Sequence, residues 1–195
     1  MKVVYPEGAT PIDPDEMIGL IPPHVVVQQE LNEWEQENIL KAECWVRNQK
    51  FFIEKILDFI FLKRLHIEMF GQTWRWAGQY RTTDKNIGVA WQKINTQLKL
   101  LFDDVNYQLS HHVYDADEIC ARFHHRLVWI HPFVNGNGRH ARLMADVLLI
   151  ALKQPRFTWG SRSLIAIGEV RAQYMKALRA ADRGDYTLLL RFVRS

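Results

Sequence analysis

Cysteine is scarce in this chain of 195 residues: Cys44 and Cys120 are the only two. Two cysteines cannot make a disulfide framework, and both sit in segments of helical pattern, which fits a reducing compartment. Long apolar runs are missing as well. No stretch of about 18 apolar residues occurs, and the opening MKVVYPEGATPIDPDE has no apolar core of signal-peptide length, so a cytoplasmic protein without a membrane role is expected. An excess of one charge is also lacking. Lys plus Arg number 25 against 22 Asp plus Glu, too even for attraction to a nucleic-acid backbone or an anionic membrane, so any anion binding must be local. What is present is the material of a core: 48% hydrophobic and 12% aromatic residues, enough for one globular domain.

Proline is concentrated rather than absent. Pro6, Pro11, Pro14, Pro22 and Pro23 lie near the start, which makes residues 1–24 an extended arm. Within it DPDEMIG reads as one helical turn, with Asp13 as cap, Pro14 first, Glu16 completing a capping box and Gly19 ending it. Beyond the arm, residues 25–195 read as a single, almost wholly helical domain. Hydrophobic periodicity predicts helices over 27–48, 53–70, 92–109, 115–130, 137–153, 163–182 and 186–193. One interruption, Gly78 to Ala90 (GQYRTTDKNIGVA), has two short β-compatible pieces around a polar turn and predicts a hairpin flap. The fold class is therefore all-α, a helical bundle around a central helix with a short β-hairpin.

The chemistry concentrates in HPFVNGNGRHAR, His131 to Arg142. The helix before it is amphipathic, with Ile119, Phe123, Leu127 and Ile130 on one stripe and Asp115 and Glu118 in capping-box spacing. Pro132 stops that helix and leaves His131 at its C-terminus, where the helix dipole is expected to hold the imidazole near neutrality, suited to a general base. The glycines of VNGNG can bare their amides just before the next helix, an arrangement that binds phosphate. That next helix is apolar almost all round from Leu143 to Leu152 apart from Asp146, so it is expected at the centre. Arg139 and Arg142 on its first turn oppose the dipole and repel each other. A polyphosphate held by the amides and both guanidiniums would remove the conflict. Asn-Gly runs also make hairpin turns, but not with a histidine and two arginines at this spacing.

The twelve residues resemble the signature of the Fic family, HPFx[D/E]GNGRxxR, at every fixed position but one. WRWAGQYR before the motif and RAQYMKALRAADRGDYTLLLRF after it look like segments of that family too, and the N-terminal arm and helix resemble its mobile mystery protein B subgroup. The resemblance implies a Fic-like helical bundle with a flap. It also implies a protein adenylyltransferase that moves AMP from ATP, with Mg²⁺ or Mn²⁺, to a Ser, Thr or Tyr hydroxyl of a target protein, this chain included. By the same resemblance His131 would deprotonate the hydroxyl. Gly136, Asn137 and Gly138 would hold phosphates, Arg139 would neutralise their charge, and Arg142 would pair with the γ-phosphate. Asn135 stands where the family has a metal-binding carboxylate; it keeps one oxygen ligand without the charge. A second reading follows, a nucleotide-binding regulatory module whose chemistry is weakened by Asn135. Gly138, where the related death-on-curing kinases carry Lys, favours AMP transfer.

Two further segments take roles from the resemblance. In QQELNEWEQENILKAECW, Glu30, Glu33 and Glu37 share a stripe that reads as a solvated acidic face. The family's inhibitory pattern [S/T]xxxE[G/N] is matched in its last two positions by Glu37 and Asn38, which implies a helix, about 27–48, whose Glu37 brakes Arg142. In the flap, Thr82, Thr83, Ile87 and Gly88 would align a target strand. His124, His125, His131 and His140 match no zinc spacing. Trp74, Trp76, Trp91 and Trp159 read as core or flap anchors, and Tyr174 as a packing residue or a neighbour of the base.

Overall fold

The structure, a computed structural model, describes residues 17–22, 28–50, 52–161 and 167–195. Asp13, Pro14 and Glu16, which start the expected turn, lie outside them. Among the described residues eight α-helices follow in order: α1 (Gln28–Arg47), α2 (Ile53–Ile56), α3 (Phe59–Phe70), α4 (Ile94–Ser110), α5 (Ala116–Ile130), α6 (Asn137–Ala151), α7 (Ile167–Ala181) and α8 (Thr187–Val193). A 3₁₀ turn at Trp91–Lys93 leads into α4.

The centre is α6. Ten of its side chains, from Asn137 to Leu149, are buried, as the apolar sequence expects. It packs most extensively against α5, while α1 lies on α3, α4 on α5 and α8 on α7. One contiguous apolar core runs through all of these layers, from Leu31 to Val193. The polar exception on α6, Asp146, is buried and accepts from Arg156, from the Phe157 amide at 3.2 Å and from the Trp159 indole at 3.1 Å. A buried carboxylate thus anchors the strip of chain that places Trp159.

Two expectations need correction. The single helix expected over 53–70 is two, because Asp58 accepts the Ile60 amide at 3.1 Å and caps a new helix at Phe59. The hairpin flap is not formed either: among the described residues there is no strand, only the isolated bridges Leu20 to Trp74 and Tyr80 to Phe133. The physical reason lies in Arg81. Its guanidinium takes the carbonyls of Thr83 and Val89, acceptors a ladder would otherwise have used. Alternation of polar and apolar residues could not show that a side chain would replace the strand pairing.

Candidate active site

His131 closes α5. Asp115 starts that helix by accepting the Glu118 amide at 2.8 Å, and Pro132 ends it. At the junction His131 adopts the left-handed region, φ 55° and ψ 60°, a conformation that costs a non-glycine residue about 1–2 kcal/mol and persists only where its surroundings impose it. The imidazole Nδ1 faces the Val128 carbonyl at 3.3 Å. A carbonyl can only accept, so Nδ1 carries the proton and Nε2 the lone pair. The dipole argument for a near-neutral pKa does not hold: burial pushes His131 down to about 4, reinforced by Arg81 and Lys85 and opposed by the Val128 carbonyl. The ring is neutral at physiological pH, and Nε2 is its basic atom.

The loop between α5 and α6 is built from inside. Asn137 is buried and spans its own loop, Oδ1 accepting the Phe133 amide and Nδ2 donating to the Phe133 carbonyl, each at 2.9 Å. Its side chain is therefore a clamp, and what it can offer a phosphate is its backbone amide. Gly136 has φ 77°, and the Phe70 ring stands where a Cβ would be, 2.6 Å away. Asn135 points its side-chain oxygen at the Gly136 amide, 2.6 Å, while its carbonyl accepts from His66 Nε2 at 3.1 Å. His66 is fully buried, its pKa held well below the ordinary value first by burial and next by His140. Its Nδ1 accepts the Gly78 amide at 3.0 Å and its ring stacks on Phe133 at 3.8 Å, so one neutral tautomer ties α3 and the 78–90 segment to the motif.

The first turn of α6 has amides for which no preceding helical carbonyl serves as acceptor. Beside it Gly138 has open space: nothing lies within 4 Å of where its Cβ would be. Arg139 is half exposed, lies over Phe70 and pairs with Glu35 at 2.6 Å. Arg142 is held between rings, its guanidinium 4.3 Å from the Tyr174 centroid and 5.6 Å from that of Trp159. Tyr174 is itself hydrogen-bonded to the buried His124 at 2.9 Å.

The helix α1 meets the motif at a different residue from the one expected. Glu37 is exposed and pairs with Lys41 at 2.8 Å, and Asn38 donates to Thr73 at 3.0 Å. The buried carboxylate is Glu35, which accepts the Trp74 indole at 2.7 Å and holds Arg139. Glu30 and Glu33 are exposed, as an acidic face should be. Thr82, Thr83, Ile87 and Gly88 are exposed, and Gly88 lies against His131, a built Cβ falling 2.7 Å from the His131 Cβ. Among the described residues no group of three or more His, Cys, Asp or Glu is placed to hold a metal ion, and none of the helices is long and apolar enough to cross a membrane.

Glu35, His66 and Arg81 were missed by sequence reasoning. Glu35 had a signal, a carboxylate inside the apolar stripe of Leu31, Ile39, Ala42 and Val46. His66 and Arg81 had none, since a lone polar residue in one segment does not reveal what it meets in another.

Comparisons with known proteins agree with this geometry. Residues 56–149 match the model of the Fic/DOC family. A relative, protein adenylyltransferase fic-1 of Caenorhabditis elegans, is 34% identical over 121 residues, 60% of this chain. The match spans only 22% of that relative's length. The solved structure of Fic-1 (residues 134–508) from the same species superposes with a TM-score of 0.65 at 26% identity, over 90% of this chain and 50% of that one. BepC of Bartonella tribocorum shares the fold, with a TM-score of 0.68 at 17% identity over 92% of this chain and 95% of that one.

Proposed function

Because residues 56–149 match the Fic/DOC family, we propose that the chain is a protein adenylyltransferase, transferring AMP from ATP to a hydroxyl side chain of a target protein or of another copy of itself. The observation that carries the proposal is the tautomer of His131: Nδ1 is committed to the Val128 carbonyl, which makes Nε2 the base, one short loop before the amides of α6. Relatives that bear the name adenylyltransferase support the same reading.

The reaction follows from these parts. The target hydroxyl loses its proton to His131 Nε2 as its oxygen attacks the α-phosphorus of ATP. The bond from that phosphorus to the bridging oxygen breaks, pyrophosphate leaves, and AMP remains as a phosphodiester on the target. The amides of Gly136, Asn137 and Gly138 and the N-terminus of α6 would cradle the phosphate chain. Arg139 and Arg142 would offset its charge, and the exposed 82–88 segment would seat the target backbone. The residues do not fit a divalent ion held by the protein. Asn135 offers a neutral oxygen already accepting the Gly136 amide, so no step here runs through a metal, and Mg²⁺ or Mn²⁺ is proposed only as a companion of the ATP phosphates. The brake is assigned to Glu35, whose carboxylate occupies Arg139 at 2.6 Å. The occupied Asn135 oxygen favours the second reading, a nucleotide-binding module with weakened transfer.

The test is labelling with α-³²P-ATP in Mg²⁺ or Mn²⁺, comparing the native chain, Glu35→Gln, and Glu35→Gln with His131→Ala. Label that rises with Glu35→Gln and vanishes with His131→Ala supports transfer. ATP binding without label in any variant would replace it with the binding module.

A further inference from the structure

Arg81 carries a charge where charge is expensive. Its side chain is wholly covered, and the nearest carboxylate, Asp84, lies 3.7 Å from Nη1 and is itself 66% exposed. A buried guanidinium persists only if its donors are satisfied. Here they are satisfied by carbonyls: Nε donates to His131 at 2.7 Å, Nη1 to Thr83 at 2.8 Å, and Nη2 to Val89 and, at 3.4 Å, to Ile130. The Arg81 amide adds a bond to the Pro132 carbonyl at 3.0 Å. The acceptors belong to two segments, the end of α5 and the loop that follows Arg81.

The last carbonyls of a helix have no helical donor, and those of Ile130 and His131 are such groups, at the point where the backbone is strained. We propose that Arg81 is the positioning residue of the site: its fork replaces the missing donors, fixes His131 in the left-handed conformation and fastens the 82–90 loop against the base. Gly88 bears out the closeness of that fit. With φ 101°, it has the His131 Cβ at 2.7 Å and Arg81 Nη2 at 2.9 Å from where a Cβ would stand. Lysine cannot substitute, since one ammonium lacks the planar fork that reaches acceptors on both sides. The cation works in the same sense electrically, because Arg81 and Lys85 from the loop both disfavour protonation of His131, against the Val128 carbonyl of α5.

The inference rests on His131 as the transferring base, so its test has one arm that needs no activity. The full chain would carry Arg81→Lys or Arg81→Ala in the Glu35→Gln background. Both are expected to keep their helical circular dichroism and a cooperative melt. The kcat should fall by about a hundredfold, the effect of misplacing a reacting group by an ångström, with KM for ATP nearly unchanged. Added guanidinium ion should recover part of the kcat of Arg81→Ala and none of that of Arg81→Lys. In the second arm, NMR of the His131 ring should show its pKa rising in Arg81→Ala. If Glu35→Gln itself transfers nothing, the functional reading fails and the NMR arm still judges Arg81. A kcat per folded molecule unchanged in Arg81→Lys, or a His131 titration unmoved in Arg81→Ala, overturns the proposal; should Arg81→Ala not fold, the titration is read in Arg81→Gln, which also lacks the cation.

Discussion

Two glycines of one loop are required for different reasons, and substituting each by alanine separates the reasons. At Gly136 the backbone is left-handed and the Phe70 ring stands 2.6 Å from an added Cβ. Gly136→Ala is therefore expected to destabilise the chain by about 1–3 kcal/mol through strain and overpacking, seen as a lower Tm. At Gly138 nothing crowds the added methyl, and alanine inside a helix is favoured over glycine by up to about 1 kcal/mol. Gly138→Ala should leave Tm unchanged or raised while weakening ATP affinity by calorimetry, because the methyl enters the space where phosphate would approach. Equal ATP affinity in Gly138→Ala and the native chain would refute the phosphate-cradle role. At this scale the sequence was legible as far as the motif reached: His131, the loop glycines and both arginines could be picked out by residue type and spacing. Asn137 could be picked out but not understood, for nothing in the string says that its side-chain amide is spent on Phe133.

At the scale of elements, α1 shows what periodicity gives and withholds. The helix itself follows from its pattern, and its exposed acidic stripe of Glu30, Glu33 and Glu37 was visible. Which carboxylate faces the motif depended on the helix's rotation, set by Leu31, Ile39, Ala42 and Val46 entering the core. Those residues carry Glu35 inward and leave Glu37 to Lys41. The matching prediction uses a substitution that spares the rest of the contact. Glu35→Gln removes the carboxylate charge that faces Arg139 while an amide oxygen still accepts the Trp74 indole, so transfer should rise about tenfold or more, with Tm lowered by a few degrees at most. Glu37→Gly, which breaks an exposed pair worth less than about 1 kcal/mol, should leave transfer at the native level. The reverse ranking, measured by labelling a common target, would return the brake to Glu37. The segment 78–90 carries the same lesson for strands. Its alternation fits a hairpin, but the outcome was decided by one buried guanidinium competing for the same carbonyls.

For the whole molecule, composition foretold one globular core, periodicity foretold the helices, and the central place of α6 followed from a surface apolar almost all round apart from Asp146. Composition treats histidine as a surface charge reserve, and the fold does not. Among the described residues five histidines, His66, His124, His125, His131 and His140, are buried, all on α3, α5 or α6 or at their ends. Burial is the main cause that lowers each, His124 and His140 to about 3 and His131 to about 4. The sign of the linkage is fixed by that direction. Above pH about 6.5 neither the folded nor the unfolded chain protonates these rings, so they cost nothing. As the pH falls below that value the unfolded chain gains protons the folded chain refuses, and stability is lost until the folded values are reached. At pH 5 the loss is about 2 kcal/mol for each of His124, His131 and His140, since one pKa unit corresponds to about 1.4 kcal/mol. Urea unfolding should therefore give a markedly smaller free energy at pH 5 than at pH 7.5, and the loss should shrink in His140→Gln, whose amide can still donate to the Leu62 carbonyl that His140 Nε2 reaches at 2.9 Å. Equal stabilities at the two pH values would mean that these rings, His131 included, accept protons in place at the ordinary histidine value, and that burial does not hold them neutral at pH 5.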